Sequence, residues 1–175
     1  MADFFQRITE DQGAVEDLVR KIPGFKGYFE RQDRRAADRL LREHVARGFG
    51  SQLAEFNRLQ RELVDEGGLR YMERAQRIDT KLRTFIDRIE SAAQGYAGLF
   101  DAIKVTEDDL QRLYAFDSAL LLYQDQLAAG LAQLEGAIGT DGVEDVLEQL
   151  ESVVSEANRT FDRRVEAIQG LSGAV

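Results

Sequence analysis

The last third of the chain carries an apolar repeat that strongly restricts the fold. Apolar residues recur at steps of three or four positions, in the order Val143, Leu147, Leu150, Val154, Ala157, Phe161, Val165 and Ile168. A mean spacing near 3.5 residues places these side chains on one face of an α-helix. Such a face has to be buried, and this spacing is typical of near-antiparallel helices that cross at about 20°. The repeat therefore predicts a helical bundle.

Three earlier segments carry similar apolar stripes, between residues 37 and 63, 72 and 93, and 110 and 138. Residues 27–66 are predicted to form one long helix, and the pattern leaves open whether it bends or breaks at Gly48–Gly50. No alternation of period two competes with these helical patterns. We therefore predict an all-α fold, an up-and-down bundle of four long helices with a short N-terminal helix.

The N-terminal region divides at the only proline. Thr9 and Gln12 have the spacing of a capping box for a helix that ends near Lys21, and Pro23 with Gly24 suits a type II turn. We expect residues 1–26 to form this short helix and the turn. Residues 27–169 are expected to form the bundle, and residues 170–175 a flexible tail.

Residues 95–122 are predicted to form a corner between two long helices. Thr106 and Asp109 have the spacing of an N-terminal cap, and Glu107 and Asp108 place negative charge in the first turn, where the helix dipole favours it. We therefore expect a helix to begin directly after Thr106.

The composition argues against most catalytic and metal chemistry. The chain has no Cys and one His, His44, so disulfides and thiolate sites are excluded. A di-iron bundle needs Glu-x-x-His motifs, and Leu41 stands three residues before His44. We predict no catalytic, cofactor or metal site. With no apolar run long enough for a membrane span and no secretory signal at the N-terminus, we expect a cytoplasmic protein.

Three ionisable residues lie near apolar stripes. His44 is interpreted as a partly buried or boundary histidine, because no nucleophile or proton donor stands beside it. Asp117 and Asp125 are interpreted as candidate buried partners for an arginine of the basic helix.

Charge is distributed unevenly along the chain. Residues 20–47 hold nine Lys or Arg against four acids, whereas residues 106–175 hold fourteen acids against four arginines, within a net charge of −9. One interpretation is that basic and acidic helices pack side by side and their fields cancel. The other is that the basic part binds an anionic partner.

The segment around the proline is the main candidate for function, because aromatic and basic residues alternate there. Arginine binds carboxylate and phosphate through two hydrogen bonds, and aromatic rings anchor interfaces. The segment could staple the first helix to the bundle, or bind an acidic surface of a partner protein. Lipid headgroups and nucleic acid are further alternatives, and a pI of 4.8 disfavours nucleic acid. The candidate partner- or anion-binding residues are Lys21, Phe25, Lys26, Tyr28, Phe29, Arg31, Arg34 and Arg35.

Two segments together resemble an uncharacterised bacterial family of all-helical proteins. They are KIPGFKGYFERQDRRAADRLLREH (residues 21–44) and GYAGLFDAIKVTEDDLQRLYAFD (residues 95–117). The family carries an Ile-Pro-Gly-aromatic-basic-Gly-Tyr segment ahead of an arginine-rich helix, and the resemblance covers roughly residues 15–125. It implies a helical fold and a bacterial, intracellular setting, and it transfers no catalytic residues.

The leading hypothesis is a non-enzymatic interaction or scaffold protein that binds a protein partner, or itself, through the basic aromatic segment. The alternative is peripheral binding to anionic membranes, for which Phe4, Phe5 and Ile8 would add apolar contacts. A third hypothesis is an enzyme that uses carboxylates and arginines, with a hard cation as the metal.

Overall fold

The computed structural model describes residues 13–92 and 105–172, and every regular element in these ranges is helical. Four long helices follow a short one, so the predicted all-α architecture is confirmed. The predicted capping box at Thr9 and Gln12 lies outside the described residues. The helices are α1 (Ala14–Lys21), α2 (Arg34–Asp65), α3 (Met72–Ser91), α4 (Glu107–Ala137) and α5 (Val143–Ser172), and short 3₁₀ helices at Arg31–Asp33 and Leu69–Tyr71 precede α2 and α3.

The four long helices form a ring in which α2 packs on α3, α3 on α5, α5 on α4, and α4 on α2, while α1 packs on α4. Helices α2 and α4 run parallel, because Gln52 contacts Gln124 near the middle of both helices and Arg58 contacts Glu135 near their ends. Helices α3 and α4 therefore lie at opposite corners of the ring. Residues 93–104, which lie between α3 and α4 in the chain, are outside the described ranges.

The centre of the bundle is an aromatic stack contributed by three helices. The rings of Phe49 and Phe85 meet edge to face with centroids 4.7 Å apart, and Phe85 meets Phe161 in the same way at 6.0 Å. Edge-to-face contact suits the ring quadrupoles and adds to the stabilisation from apolar burial. All three rings are buried, so α2, α3 and α5 share one core.

Helix α2 differs from its prediction at its beginning. It begins at Arg34, not near residue 27, because the backbone is extended or turned before the 3₁₀ helix that starts at Arg31. It then continues through Gly48 and Gly50 without a break. The two glycines therefore do not divide α2.

The predicted end of α2 near residue 66 is confirmed. Gly67 has a φ of +79°, and the N–H groups of Gly67 and Gly68 donate to the carbonyls of Val64 and Leu63. This pair of bonds is a Schellman motif that ends α2.

The cap predicted ahead of α4 is also present. Asp109 N–H donates to Thr106 Oγ1 at 3.2 Å, and Thr106 N–H donates to Asp109 Oδ2 at 3.0 Å, which completes a capping box. The part of the predicted corner between residues 95 and 104 lies outside the described residues. At the other end of the chain α5 continues to Ser172, so the predicted flexible tail begins too early; residues 173–175 are not described.

A charged seam joins the basic face of α3 to the acidic face of α5. Glu151 on α5 accepts contacts from Arg74, Arg77 and Lys81 at 3.3, 3.3 and 2.9 Å. Burial acts to raise the pKa of the Glu151 carboxyl, but Lys81 and Arg77 together outweigh burial and hold this pKa below its usual range. The seam shows that acids of α5 face basic residues of α3, which lie outside the basic stretch of residues 20–47.

No helix within the described ranges combines the length and apolar character that a membrane crossing requires.

Candidate functional site

Residues 22–30 connect α1 to the 3₁₀ helix ahead of α2 without forming a helix themselves. The segment opens with the predicted turn, in which Phe25 N–H donates to the Ile22 carbonyl at 3.1 Å and Gly24 has a φ of +81°. Beyond the turn, every third side chain points inward. Ile22, Phe25 and Tyr28 are 1%, 3% and 0% exposed. The segment is therefore part of the core and not a linker on its surface.

The course of the segment depends on a second glycine. Gly27 has a φ of +91°, a region in which residues with a side chain are strained. A Cβ at Gly27 would also lie 2.7 Å from the hydroxyl oxygen of Tyr114. The backbone at this point thus passes directly over the Tyr114 side chain, and only glycine leaves room for it.

Tyr28 is fixed through its main chain and its side chain. Its N–H donates to the Tyr114 hydroxyl at 2.6 Å, and its carbonyl accepts from Arg34 Nε at 2.8 Å. Its own hydroxyl donates to Asp117 Oδ2 on α4 at 2.5 Å. Because Tyr28, Tyr114 and Asp117 are buried, breaking either of the two bonds to α4 would leave an unsatisfied polar atom.

Tyr28 belongs to a buried ionic cluster that spans three long helices. Arg164 of α5 donates from Nε to Asp117 Oδ1 at 2.6 Å and from Nη2 to Asp38 Oδ1 of α2 at 2.7 Å. Arg42 Nε then donates to the other oxygen of Asp38 at 2.8 Å. Two arginines thus face two aspartates, and none of the five side chains belongs to a residue more than 8% exposed. We call these five residues the buried ionic cluster.

Arg42 also extends the cluster to the fourth long helix. Its Nη1 donates to the main-chain carbonyl of Ile89, near the end of α3, at 3.3 Å. All four long helices and the extended segment are therefore joined at one end of the bundle.

Burial controls the protonation states in the cluster. Desolvation raises the pKa of the Asp117 carboxyl to about 6, although Arg164 and the Tyr28 hydroxyl oppose this shift. Desolvation, followed by the charge of Asp117, also raises the pKa of Tyr28 well above its usual value. Tyr28 is therefore a neutral phenol at neutral pH and remains a hydrogen-bond donor.

The buried ionic cluster is suited to holding the fold together. A residue that binds a substrate needs access to it, and these side chains are closed off by their neighbours. Within residues 13–92 and 105–172, no three His, Asp or Glu side chains are grouped closely enough to hold a metal ion. The role that this arrangement supports is structural: the cluster tethers residues 22–30 to α2, α4 and α5.

The structure divides the candidate binding residues into two groups. Phe25 and Tyr28 are buried, so they anchor the segment and do not offer a surface to a partner. Arg34 is half-buried against the Tyr28 carbonyl, and Lys21 is half-buried beside Asp125. These positions correct the expectation that the aromatic and basic residues together form one binding surface.

The remaining four candidates face outward. Phe29 is 58% exposed, and its ring rests against Tyr114 with centroids 5.6 Å apart. Lys26, Arg31 and Arg35 are also exposed. We call these four residues, Lys26, Phe29, Arg31 and Arg35, the basic aromatic surface. Its backbone is held by the buried residues between its members.

The interpretations of Asp117, Asp125 and His44 have different outcomes. Asp117 is a buried arginine partner as predicted, but the arginine is Arg164 of α5 and not one of the basic helix. Asp125 is exposed and pairs with Lys21 at 3.1 Å, so its predicted burial is wrong. The half-buried position of His44 is confirmed, and burial lowers its pKa, helped by Arg47 and Lys21.

Sequence reasoning missed three members of the buried ionic cluster: Asp38, Arg42 and Arg164. A signal for one of them was present, because positions 154, 157, 161, 164 and 168 continue the alternation of three and four in α5. Arg164 occupies a core position of that repeat. A charge in a core position implies a buried partner, since an unpaired buried charge is strongly destabilising.

Comparisons with protein-family models, with curated proteins and with solved structures found no match to this chain. The resemblance noted for residues 21–44 and 95–117 therefore stays a prediction.

Proposed function

We propose that this chain is a helical interaction protein whose basic aromatic surface binds an acidic surface of a partner protein. The observation that carries the proposal is the exposure of Phe29 on a backbone that its neighbours hold in place. Tyr28 directly before it is buried and bonded through N–H, carbonyl and hydroxyl. A large aromatic side chain left 58% exposed beside such an anchor is available for contact.

The anchoring also favours binding energetically. A flexible loop loses conformational entropy when it binds, and this loss reduces affinity. Residues 25–29 have already lost that freedom on folding, because Phe25 and Tyr28 are in the core. The basic aromatic surface is therefore preorganised.

The charge of the surface defines the class of partner. Residues 26–35 hold four basic residues and two acidic ones, in a chain whose net charge is −9. A local positive region steers acidic partners towards it and disfavours basic ones. The exposed aromatic ring supplies an apolar anchor at its centre.

A labelled acidic peptide that contains leucine tests the proposal directly by fluorescence anisotropy at low ionic strength. Lys26→Glu with Arg35→Glu should weaken peptide binding roughly tenfold or more, as should Phe29→Ser. The matched control is Arg47→Glu with Arg61→Glu, which makes the same change in net charge at two other exposed arginines of α2. The affinity of this control variant for the peptide should change by less than about threefold.

The alternative, an anionic membrane surface, is an outcome of a parallel experiment. Vesicles of anionic phospholipid are compared with vesicles of neutral phospholipid by co-sedimentation. Pelleting with anionic vesicles, combined with no binding to the peptide, would assign the basic aromatic surface to lipid and overturn the proposal. Equal weakening of peptide binding in the test and control variants would overturn it as well, because it would show only an effect of net charge.

A further inference from the structure

The end of the bundle opposite the basic aromatic surface is acidic. There the turn between α2 and α3 lies beside the turn between α4 and α5, because Arg70 approaches Asp141 at 3.8 Å and Arg74 Nε donates to Glu144 Oε1 at 2.9 Å. Residues 64–71 and 139–145 together hold five acidic residues and one basic residue, Arg70.

Exposed apolar side chains accompany these acids. Leu69 is 69% exposed and Val64 is 41% exposed. Among the described residues only four large apolar side chains are exposed, and Val19 is the one that lies at neither end; the other three are Phe29, Val64 and Leu69. We call the surface of Val64, Asp65, Glu66, Leu69 and Asp141 the acidic end.

Two of these acids are placed where a helix does not favour them. Helix α2 ends at Asp65, with Glu66 as its C-terminal cap, and no basic residue stands in its last turn. The helix dipole places partial negative charge at a C-terminus, so acids there are unfavourable for stability. These acids therefore do not serve to stabilise α2, whereas contact with a basic partner would give them a role.

The two ends of one molecule are too far apart to meet. Helix α2 begins next to the basic aromatic surface and ends at the acidic end, and its 32 residues span about 48 Å at 1.5 Å per residue. Any contact between the two surfaces is therefore between different molecules.

We infer that the acidic end of one copy of this chain binds the basic aromatic surface of a second copy. This inference rests on the proposed function and names its partner. Asp65, Glu66 and Asp141 supply carboxylates for Lys26, Arg31 and Arg35. Leu69 and Val64 supply apolar side chains that cover the Phe29 ring. Each of the two surfaces thus combines apolar side chains with charged ones, and the charges of one surface are opposite in sign to those of the other.

The contact joins two different surfaces, so it is head to tail. Such a contact does not close on itself after two copies unless a rotation brings the ends of the assembly together. The expected products are short linear chains whose length increases with concentration. The net charge of −9 per copy opposes their growth.

Sedimentation velocity over a range of concentrations provides the first test. Wild-type protein should show a weight-average sedimentation coefficient that rises with concentration. Two variants should each sediment as monomers. One has its acidic end reversed (Asp65→Lys with Glu66→Lys), and the other has its basic aromatic surface reversed (Lys26→Glu with Arg35→Glu). The first should also melt at an equal or higher temperature than wild type, because it removes acids from the C-terminus of α2.

Mixing the two variants is the decisive step. Each variant retains the surface that the other has lost, and the two reversed surfaces are again opposite in charge, so an equimolar mixture should associate although neither variant does so alone. Leu69→Ser should weaken wild-type association, whereas Val19→Ser, an exposed position on α1, should leave it unchanged. Wild-type protein that remains monomeric, or variants that associate alone as wild type does, would overturn the inference.

Failure here can be told apart from failure of the proposed function. If wild-type protein is monomeric but the acidic peptide still binds through the basic aromatic surface, only the second copy is excluded as partner. If peptide binding is insensitive to Lys26→Glu with Arg35→Glu, the proposed function itself is wrong.

Discussion

The phenol of Tyr28 donates to the carboxylate of Asp117 across 2.5 Å, joining an extended segment to a helix 89 residues further along the chain. Both residues are 0% exposed. The second carboxylate oxygen of Asp117 accepts from Arg164 Nε. The position of residues 22–30 is therefore fixed by a polar contact inside the core, and the outward direction of the neighbouring Phe29 follows from it.

Replacing Tyr28 by Phe removes this hydroxyl and keeps the ring. The carboxylate of Asp117 then loses a donor in a buried position, and a hydrogen bond to a charged group contributes about 1.5–3 kcal/mol to stability. We expect Tyr28→Phe to lower the free energy of unfolding by about 2 kcal/mol, measured by urea denaturation.

A double-mutant cycle separates this bond from other effects of the substitution. In an Asp117→Asn background, Tyr28→Phe should be less destabilising by about 1 kcal/mol or more, since the charged acceptor is already gone. Strictly additive losses would show that the hydroxyl of Tyr28 does not act through Asp117.

Gly27 tests the close passage of the segment over Tyr114. Gly27→Ala introduces a side chain at a positive φ and places Cβ 2.7 Å from the Tyr114 hydroxyl oxygen. Gly67→Ala is the matched control, because Gly67 has a φ of +79° with no atom within 4 Å of the new Cβ. Gly67→Ala should lower the free energy of unfolding by about 1 kcal/mol through backbone strain alone, and Gly27→Ala should lower it clearly more. Equal losses, measured by thermal denaturation, would contradict the close approach.

The two glycines inside α2 should respond to alanine in different ways. Gly50 has open space around a new Cβ, so Gly50→Ala should stabilise the protein by about 0.5–1 kcal/mol through helix propensity. A Cβ at Gly48 would overlap the side-chain amide of Gln124 on α4. Gly48→Ala should therefore stabilise the protein less than Gly50→Ala does, or destabilise it. The order of the two midpoints in urea decides this prediction.

The helical architecture could be predicted from sequence because it depends on local repeats. The apolar stripe of α5, the Thr106 cap of α4 and the glycine end of α2 each require only a few neighbouring residues. The beginning of α2 could not be placed in this way. Residues 28–30 include no glycine or proline that would stop a helix, and it is the long-range bonds of Tyr28 that hold them out of one, whereas residues 31–33 form a 3₁₀ helix.

The buried ionic cluster was harder to predict for the same reason. Asp38, Asp117 and Arg164 come from three helices, and sequence periodicity places each on a core face without saying which charges meet. Asp117 was expected to meet an arginine of the basic helix, and its partner is on the acidic one. The pairing follows from the ring order of the helices, in which α5 lies next to α4.

The stability of the protein should depend on pH through Asp117. Burial raises the pKa of its carboxyl to about 6, from an ordinary value of 3.8. Between these values the folded protein binds a proton that the unfolded chain has released, so this group stabilises the fold as the pH falls. The effect approaches about 3 kcal/mol at 1.4 kcal/mol per unit. Urea titrations of wild type and Asp117→Asn should show their stability difference shifting in favour of wild type from about pH 7 to about pH 4. A constant difference, or a shift towards the variant, would mean that Asp117 is ionised throughout and held by Arg164.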